Sequence, residues 1–203
     1  MSCLGNREKQ VLLELARSAL TLAADGRTSL VALPQDPALV ESFGAFVTLR
    51  KRGRLRGCIG QIDSGQPLAE VVVHCANSAA LNDPRFEPVR TDELGEIEIE
   101  LSVLSPLAEV LPAQIEVGKH GLMISAGLRR GVLLPQVAVE CHWTAEQFLE
   151  QTCLKAGLER SAWRDPGTKV EGFTAQVFAE SDFRSPDPPG PKDRAKPRYS
   201  IST

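Results

Sequence analysis

Three stretches of the chain space their apolar residues three and four positions apart, the spacing of a helix that buries one face. They are residues 7–24, residues 68–81 and the segment between Thr144 and Gly157. Asn6 stands directly before the first stretch and is of a residue type that caps helices. A capping box opens the third stretch, and a glycine of the kind that follows a helix closes it. The pattern therefore predicts three amphipathic helices.

Other stretches alternate apolar and polar residues, the pattern of a strand with one buried face. The clearest runs from Ile97 to Val103, and two more flank a glycine-containing turn at residues 51–54, which predicts a hairpin. Short connections between the remaining apolar runs favour antiparallel pairing. These runs are Ile115–Val117, Leu122–Ile124, Val132–Leu134 and residues 170–178. The predicted fold class is α+β, a mostly antiparallel sheet with packed helices.

The length of the chain limits the number of domains. It has 203 residues, 42% of them hydrophobic, which is enough for one sizeable core and too few for several ordinary domains. We expect a single domain over residues 1–181, and an extended or mobile tail over the proline-rich, charged residues 182–203. No run of about 18 apolar residues exists, and the first residues lack the apolar region of a secretory signal. A cytoplasmic protein without a membrane segment is expected.

Charge and cysteine content narrow the function classes. The formal net charge of -3 disfavours nucleic-acid binding, because such proteins displace counterions with a broad basic face. The five cysteines are odd in number and include no C-x-x-C pair, so we expect reduced thiols rather than disulfides or a zinc site. The glycine motifs of phosphate-binding loops are also missing from the sequence. Neither a metal nor a cofactor is predicted.

The densest group of chemically active residues is a cysteine beside a basic hairpin. Cys58 follows Arg50, Lys51, Arg52, Arg54 and Arg56. Cations near a cysteine stabilise the thiolate, and the alternation of strand side chains puts Arg56 and Cys58 on the same face. Cys58 is therefore a candidate reactive or ligand-contacting thiol. The alternative is a buried structural cysteine beside a solvated basic turn, because free cysteine is among the most buried residue types.

Two loops carry further candidate groups. Asp83 and Arg85 directly follow the second predicted helix, where they can pair with each other. His120 lies between two glycines at the start of a predicted strand, a position suited to a base or a hydrogen-bond donor. Each group has a structural alternative, a loop ion pair in the first case and an incidental loop histidine in the second.

Residues 55–60 resemble the six-residue signature of the AMMECR family, also named AmmeMemoRadiSam system protein A in prokaryotes. The signature residues are Leu55, Arg56, Gly57, Cys58, Ile59 and Gly60. Further segments resemble family motifs in the same order along the chain. They are Ala45–Leu49, Asp83–Phe86, Leu101–Pro106, Gly118–Leu122, Arg130–Val137 and the helix region from Trp143 to Trp163. The resemblance as a whole extends over roughly residues 8–180.

The resemblance implies an α+β domain with a larger and a smaller lobe, and it places the signature near the groove between them. Six residues in family motifs become candidates to share that groove. Cys58 and His120 are the catalytic candidates, and the substrate-binding candidates are Arg56, Asp83, Arg85 and Gln136. The resemblance also implies two partners, a radical S-adenosylmethionine enzyme and a Memo-like protein. It implies no particular reaction.

Three functions stay open. In the first, a thiol-dependent enzyme or component, Cys58 is a nucleophile or covalent carrier, Arg56 favours its thiolate, His120 is a general acid or base, and Arg85 binds an anion. In the second, a non-catalytic scaffold docks the two partners through residues 50–56. The third is nucleic-acid binding through the same hairpin. It is disfavoured by the net charge and by the lack of aromatic residues among the basic ones.

Overall fold

A computed structural model describes residues 4–27, 34, 36–62 and 65–184 of the chain. The α-helices of this part are α1 (Asn6–Ala24), α2 (Pro37–Val40), α3 (Leu68–Leu81), α4 (Pro135–Glu140) and α5 (Ala145–Lys155). The strands are β1 (Ala45–Lys51), β2 (Arg54–Gln61), β3 (Ile97–Leu104), β4 (Ala108–Glu109), β5 (His120–Ala126), β6 (Arg129–Leu133) and β7 (Lys169–Ala179). The predicted α+β class is confirmed.

One antiparallel sheet contains all of these strands, in the order β2-β1-β3-β7-β5-β6, and β4 also pairs with β7. The long strand β7 joins two half-sheets, because residues 175–179 pair with β3 and residues 169–174 pair with β5. The first half-sheet (β1, β2, β3 and the end of β7) packs against α1 and α3. The second (β4, β5, β6 and the start of β7) packs against α5.

Each half-sheet has its own hydrophobic core. The larger cluster includes Leu20 of α1, Val72 of α3 and Leu101 of β3, all fully buried. The smaller cluster includes Leu122 of β5 and Phe148 of α5, also fully buried. The predicted larger and smaller lobes correspond to these two clusters.

Strand alternation gives the sheet two distinct faces. Val170 lies in the smaller core and Phe178 in the larger one, and β7 shows no register shift between them, so both cores lie on one face, the helix face. The other face is named the Cys58 face. Its members in the first half-sheet are residues opposite one another in adjacent strands, among them Phe46, Thr48, Cys58, Ser102 and Val177.

Most predicted helices and strands are confirmed, but several details differ. α1 begins at Asn6 itself with Gly5 as its N-cap, so the predicted cap by the Asn6 side chain is wrong. Ile115–Val117 form no strand, and Ile115 instead ends a 3-10 turn and lies in the smaller core. Helix α4 has only six residues, too few to show a helical period in the sequence.

The described part of the chain extends a little beyond the predicted end of the domain at residue 181. Phe183, in a 3-10 turn that follows β7, still packs against the larger core. Most of the predicted tail, residues 185–203, lies outside the described residues.

Candidate functional site

A tight turn and a register shift together set the register of the signature in the β1–β2 hairpin. The turn residues Arg52 and Gly53 both have positive φ, 51° and 77°, as in the type I′ turns that suit the strand twist. Beyond the turn the register shifts between Leu49 and Arg50, and this shift places Cys58 rather than Gly57 directly opposite Thr48. The hairpin thus places the cysteine on the same face of the sheet as Thr48.

Three signature residues have packing roles. A Cβ atom on Gly57 would overlap the carbonyl oxygen of Ala79, so α3 packs directly on the backbone of β2. A Cβ atom on Gly60 would overlap the ring of Phe46, so this ring lies on the glycine. Ile59 packs against the larger core. The two glycines therefore allow close approach by neighbouring groups.

An ion pair between Asp83 and Arg85 lies at the unpaired edge of β2 and forms hydrogen bonds with the backbone of Cys58. Asp83 is 3% exposed, and its Oδ2 accepts the N–H of Cys58 at 2.8 Å. Arg85 donates to both carboxylate oxygens of Asp83, at 2.9 and 2.7 Å, and its Nη2 also donates to the carbonyl of Cys58 at 3.4 Å. This arrangement, the Asp83–Arg85 clip, occupies the place where a further strand would pair. The hydrogen bond from Arg85 is the main reason why the pKa of Asp83 lies well below its usual range, and the N–H of Cys58 adds to it.

Arg56 is occupied by another carboxylate. Its Nε and Nη2 donate to Glu93 at 3.2 and 2.8 Å, and Lys51 Nζ donates to the same carboxylate at 2.7 Å. These hydrogen bonds, led by those from Arg56, lower the pKa of Glu93 to about 2. Arg56 also donates to the carbonyl of Glu87 at 2.9 Å. It therefore ties the segment after α3 to β2 and is not a free cation beside the thiol.

The Cys58 thiol is half-buried and faces a partly polar surface. The hydroxyl of Thr48, itself buried, lies 3.4 Å from Sγ and donates to it. On the same face Arg50 lies 3.6 Å from Glu100, so this cation is also balanced by a carboxylate. Arg50, Arg56 and Arg85 are therefore each paired with a carboxylate.

The other described cysteines differ from Cys58 in exposure. Cys75 on α3 and Cys153 on α5 are fully buried, whereas Cys141 is exposed. Burial raises the pKa of Cys75 to about 11 and also raises that of Cys153. These two thiols belong to the cores, and they provide internal controls for measurements on Cys58.

The structure brings four of the six candidates together and separates the other two. Arg56, Cys58, Asp83 and Arg85 meet at the edge of β2. Gln136 on α4 lines a cavity of about 610 Å³ with Val177, which belongs to the Cys58 face, so it borders that face from the second half-sheet. His120 pairs with Thr174 in register with the smaller core and lies on the helix face. Strands β1, β3 and β7 separate it from β2.

Two residues that complete the site are missing from the sequence prediction. Glu93 neutralises Arg56, and Thr48 donates to the thiol. Glu93 lies 37 positions from Arg56, and no local pattern connects them. The turn at residues 52–53 alone would pair Thr48 with Gly57, and the register shift that pairs it with Cys58 has no signal in the local sequence pattern.

Comparison with known proteins agrees with this fold. The AMMECR1 family model matches residues 13–178, most of the chain. The chain belongs to the AMMECR1 family. This AMMECR1 protein is 44% identical over 186 residues to a protein of Methanothermobacter thermautotrophicus, a match covering 87% of this chain and 96% of the relative. It is also 44% identical over 191 residues to a protein of Thermococcus gammatolerans, covering 87% and 92%.

A solved structure resembles this AMMECR1 protein closely. It is the crystal structure of an uncharacterized protein from Pyrococcus horikoshii, with a TM-score of 0.76 and 40% sequence identity. The match covers 84% of this chain and 90% of that one. The family fold is therefore shared over nearly the whole described region.

The described residues of this AMMECR1 protein lack two kinds of feature. None of their helices combines the length and the apolar character needed to cross a membrane. The same residues contain no group of three or more His, Cys, Asp and Glu side chains that could hold a metal ion.

The clip can be tested through the backbone of Cys58. Replacing Asp83 with alanine leaves the N–H of Cys58 without its acceptor, and we expect faster hydrogen exchange at this amide and a loss of about 1–3 kcal/mol in unfolding free energy. Asp83→Asn keeps an oxygen at the same place and should retain most of the protection. Asp92→Ala, which removes an exposed ion pair with Arg90, is the control and should change little. Unchanged exchange at Cys58 in Asp83→Ala would show that the clip does not hold the strand.

Proposed function

We propose that this protein is a thiol-dependent component of an enzyme system and that Cys58 is its working group. The clip is the observation that carries the proposal. A buried carboxylate has a desolvation cost, and here Asp83 and its arginine fix both the N–H and the C=O of one cysteine. Functional groups need such support from surrounding residues, because a loosely held group loses its geometry.

The surroundings of the thiol suggest the roles of its neighbours. Cys58 would act as nucleophile or covalent carrier, and the hydroxyl of Thr48 orients its sulfur. Asp83, Arg85 and Arg56 are positioning residues, because their hydrogen bonds reach backbone or carboxylate groups. His120 lies on the other face, so the proton acceptor for the thiol would come from the substrate or from a partner. This requirement is why we propose a component rather than a complete enzyme.

Partners and compartment belong to the same proposal. The resemblance of the signature to AmmeMemoRadiSam system protein A supports a radical S-adenosylmethionine enzyme and a Memo-like protein as partners. A cytoplasmic location is supported by the four described cysteines, which are free thiols, as in proteins of reducing compartments.

Alkylation of the native protein tests the proposal directly. With iodoacetamide near neutral pH and mass spectrometry to resolve each cysteine, we expect Cys58 to react faster than Cys141, although Cys141 is more exposed. Cys75 should react at least about 100-fold more slowly than an ordinary thiol, because a pKa of about 11 instead of 9.0 leaves far less thiolate. Cys58→Ser should abolish cellular function. A Cys58 slower than Cys141, together with full function in Cys58→Ser, would overturn the proposal.

A second candidate is a non-catalytic scaffold for the same partners. The observation in its favour is that, among the described residues, the sulfur contacts a hydroxyl and no base, while the nearby arginines are already paired. Cys58→Ser separates the two candidates, since a scaffold would keep both partner capture and cellular function. Nucleic-acid binding is further disfavoured, because glutamates balance Lys51, Arg52 and Arg56 of the hairpin.

A further inference from the structure

A second cavity lies away from Cys58, beside His120 on the second half-sheet. Its volume is about 570 Å³. Pro106, Val110 and Gly172 supply apolar walls, and His120 and Gln114 supply polar side chains. His120 is in register with the smaller core, so this cavity belongs to the helix face. It shares no lining residue with the site around Cys58.

A backbone hydrogen bond fixes the proton position on His120. The N–H of Glu116 donates to Nδ1 of His120 at 3.0 Å. A backbone N–H can only donate, so Nδ1 carries no proton, and the neutral ring must carry its proton on Nε2. The same turn is closed by the carbonyl of Glu116, which accepts the N–H groups of Lys119 and His120 at 3.2 and 3.0 Å. The free ring nitrogen of His120 is therefore a donor held on a rigid turn.

Gln114 is oriented in the same way. Its Oε1 accepts the N–H of Leu111 at 3.1 Å, at a 3-10 turn that follows β4. This hydrogen bond turns the oxygen toward the backbone and leaves the amide NH2 group as the donor that Gln114 can offer a ligand. Two side chains on the cavity thus have their acceptor atoms bound to the backbone and their donors left over.

The rim of the cavity also limits the charge of a ligand. Glu109 and Glu116 line it, and both are exposed, but Glu116 is paired with Lys119 at 2.8 Å. Glu109 would repel a carboxylate or phosphate, although two donors alone would suit one. The Glu109 carboxylate can instead accept a hydrogen bond from a ligand N–H. Donors for an oxygen, acceptors for an N–H and apolar walls match one common group, an uncharged amide.

We propose that this cavity binds an amide group, with its carbonyl oxygen on His120 Nε2 and the Gln114 NH2 and its N–H toward Glu109. The site is independent of Cys58, and so of the proposed thiol function. The same group occurs in a peptide and in a small amide compound. The shared chemistry is the amide, and the test distinguishes the two sources.

Nuclear magnetic resonance of the ¹⁵N-labelled full chain provides the test. Long-range imidazole spectra should show His120 with its proton on Nε2, assigned by its disappearance in His120→Asn. Titration with N-acetyl-leucinamide should shift the His120 ring signals and leave those of His74 and His142 in place. N-acetyl-leucine, which carries a carboxylate in place of the terminal amide, should bind about fivefold more weakly because of the charge on Glu109. A capped tripeptide that binds more tightly than the single residue identifies a peptide ligand, and equal affinity identifies a small amide.

Two variants test where the amide binds. Gln114→Glu retains an oxygen for the N–H of Leu111 but replaces the NH2 donor with a charge, so it should weaken amide binding without unfolding the turn. Cys58→Ser should leave the affinity unchanged, which separates this site from the proposed thiol function. A proton on Nδ1, no shift of His120 with either amide, or equal affinity for the carboxylate compound would overturn the proposal.

Discussion

Replacing Gly57 with alanine is expected to lower the unfolding free energy by about 3 kcal/mol. The new methyl group would overlap the carbonyl oxygen of Ala79 and lie 3.3 Å from its carbonyl carbon. The obstacle is backbone, which cannot rotate away, so α3 would have to move off β2 and open the larger core. Gly57 has no positive φ, so steric overlap alone causes the loss.

Gly60→Ala is the matched comparison on the same strand. Its methyl group would meet the ring of Phe46, a side chain that can rotate, so the expected cost is only about 1 kcal/mol. Combining it with Phe46→Leu should recover part of that cost. Urea unfolding measures the differences, provided that the slopes with denaturant agree. A Gly57→Ala variant no less stable than Gly60→Ala would mean that α3 does not rest on the signature backbone.

The fold was predictable where the periodic pattern is long enough to be visible. α3 begins and ends where the sequence predicts, at Leu68 and Leu81, because its apolar period covers four turns and ends before Pro84. The pattern fails in short segments. α4 has six residues, and Ile115 is apolar because it enters a core from a turn, not because it belongs to a strand.

The candidate site was predictable only in its local parts. The register of one hairpin and one loop brings Cys58 close to Asp83 and Arg85, and the sequence marks all three. Whether two distant motifs meet depends on strand order and on the face of each strand. The sheet therefore separates His120 from Cys58, although both lie in segments resembling the same family. The same long-range order brings Glu93 to Arg56. The predicted substrate-binding residue Arg56 therefore lies in an ion pair within the fold.

Glu93→Gln is expected to destabilise the protein near neutral pH by about 3 kcal/mol. Its carboxylate, 14% exposed, accepts hydrogen bonds from Arg56, Lys51 and the N–H of Arg90. These lower its pKa from 4.5 to about 2, so the folded state favours the charged form. The resulting stability is fully present above pH 4.5, the unfolded value, and is lost as the pH falls toward 2. The wild-type and variant stabilities should therefore converge in acid.

Urea unfolding at a series of pH values between about 7 and about 2 measures this convergence. Asp83 is paired with a different arginine, Arg85, which lowers its pKa in both proteins. The stability of the Glu93→Gln variant therefore still falls in acid, although less steeply than that of the wild type. Glu96→Gln is the control. Its side chain is 37% exposed and its partner Arg52 is 76% exposed, so it should cost less than about 1 kcal/mol at any pH. Parallel curves for wild type and Glu93→Gln down to the acid limit would show that Arg56 and Lys51 do not hold this carboxylate. The segment between α3 and β3 would then need another anchor to β2.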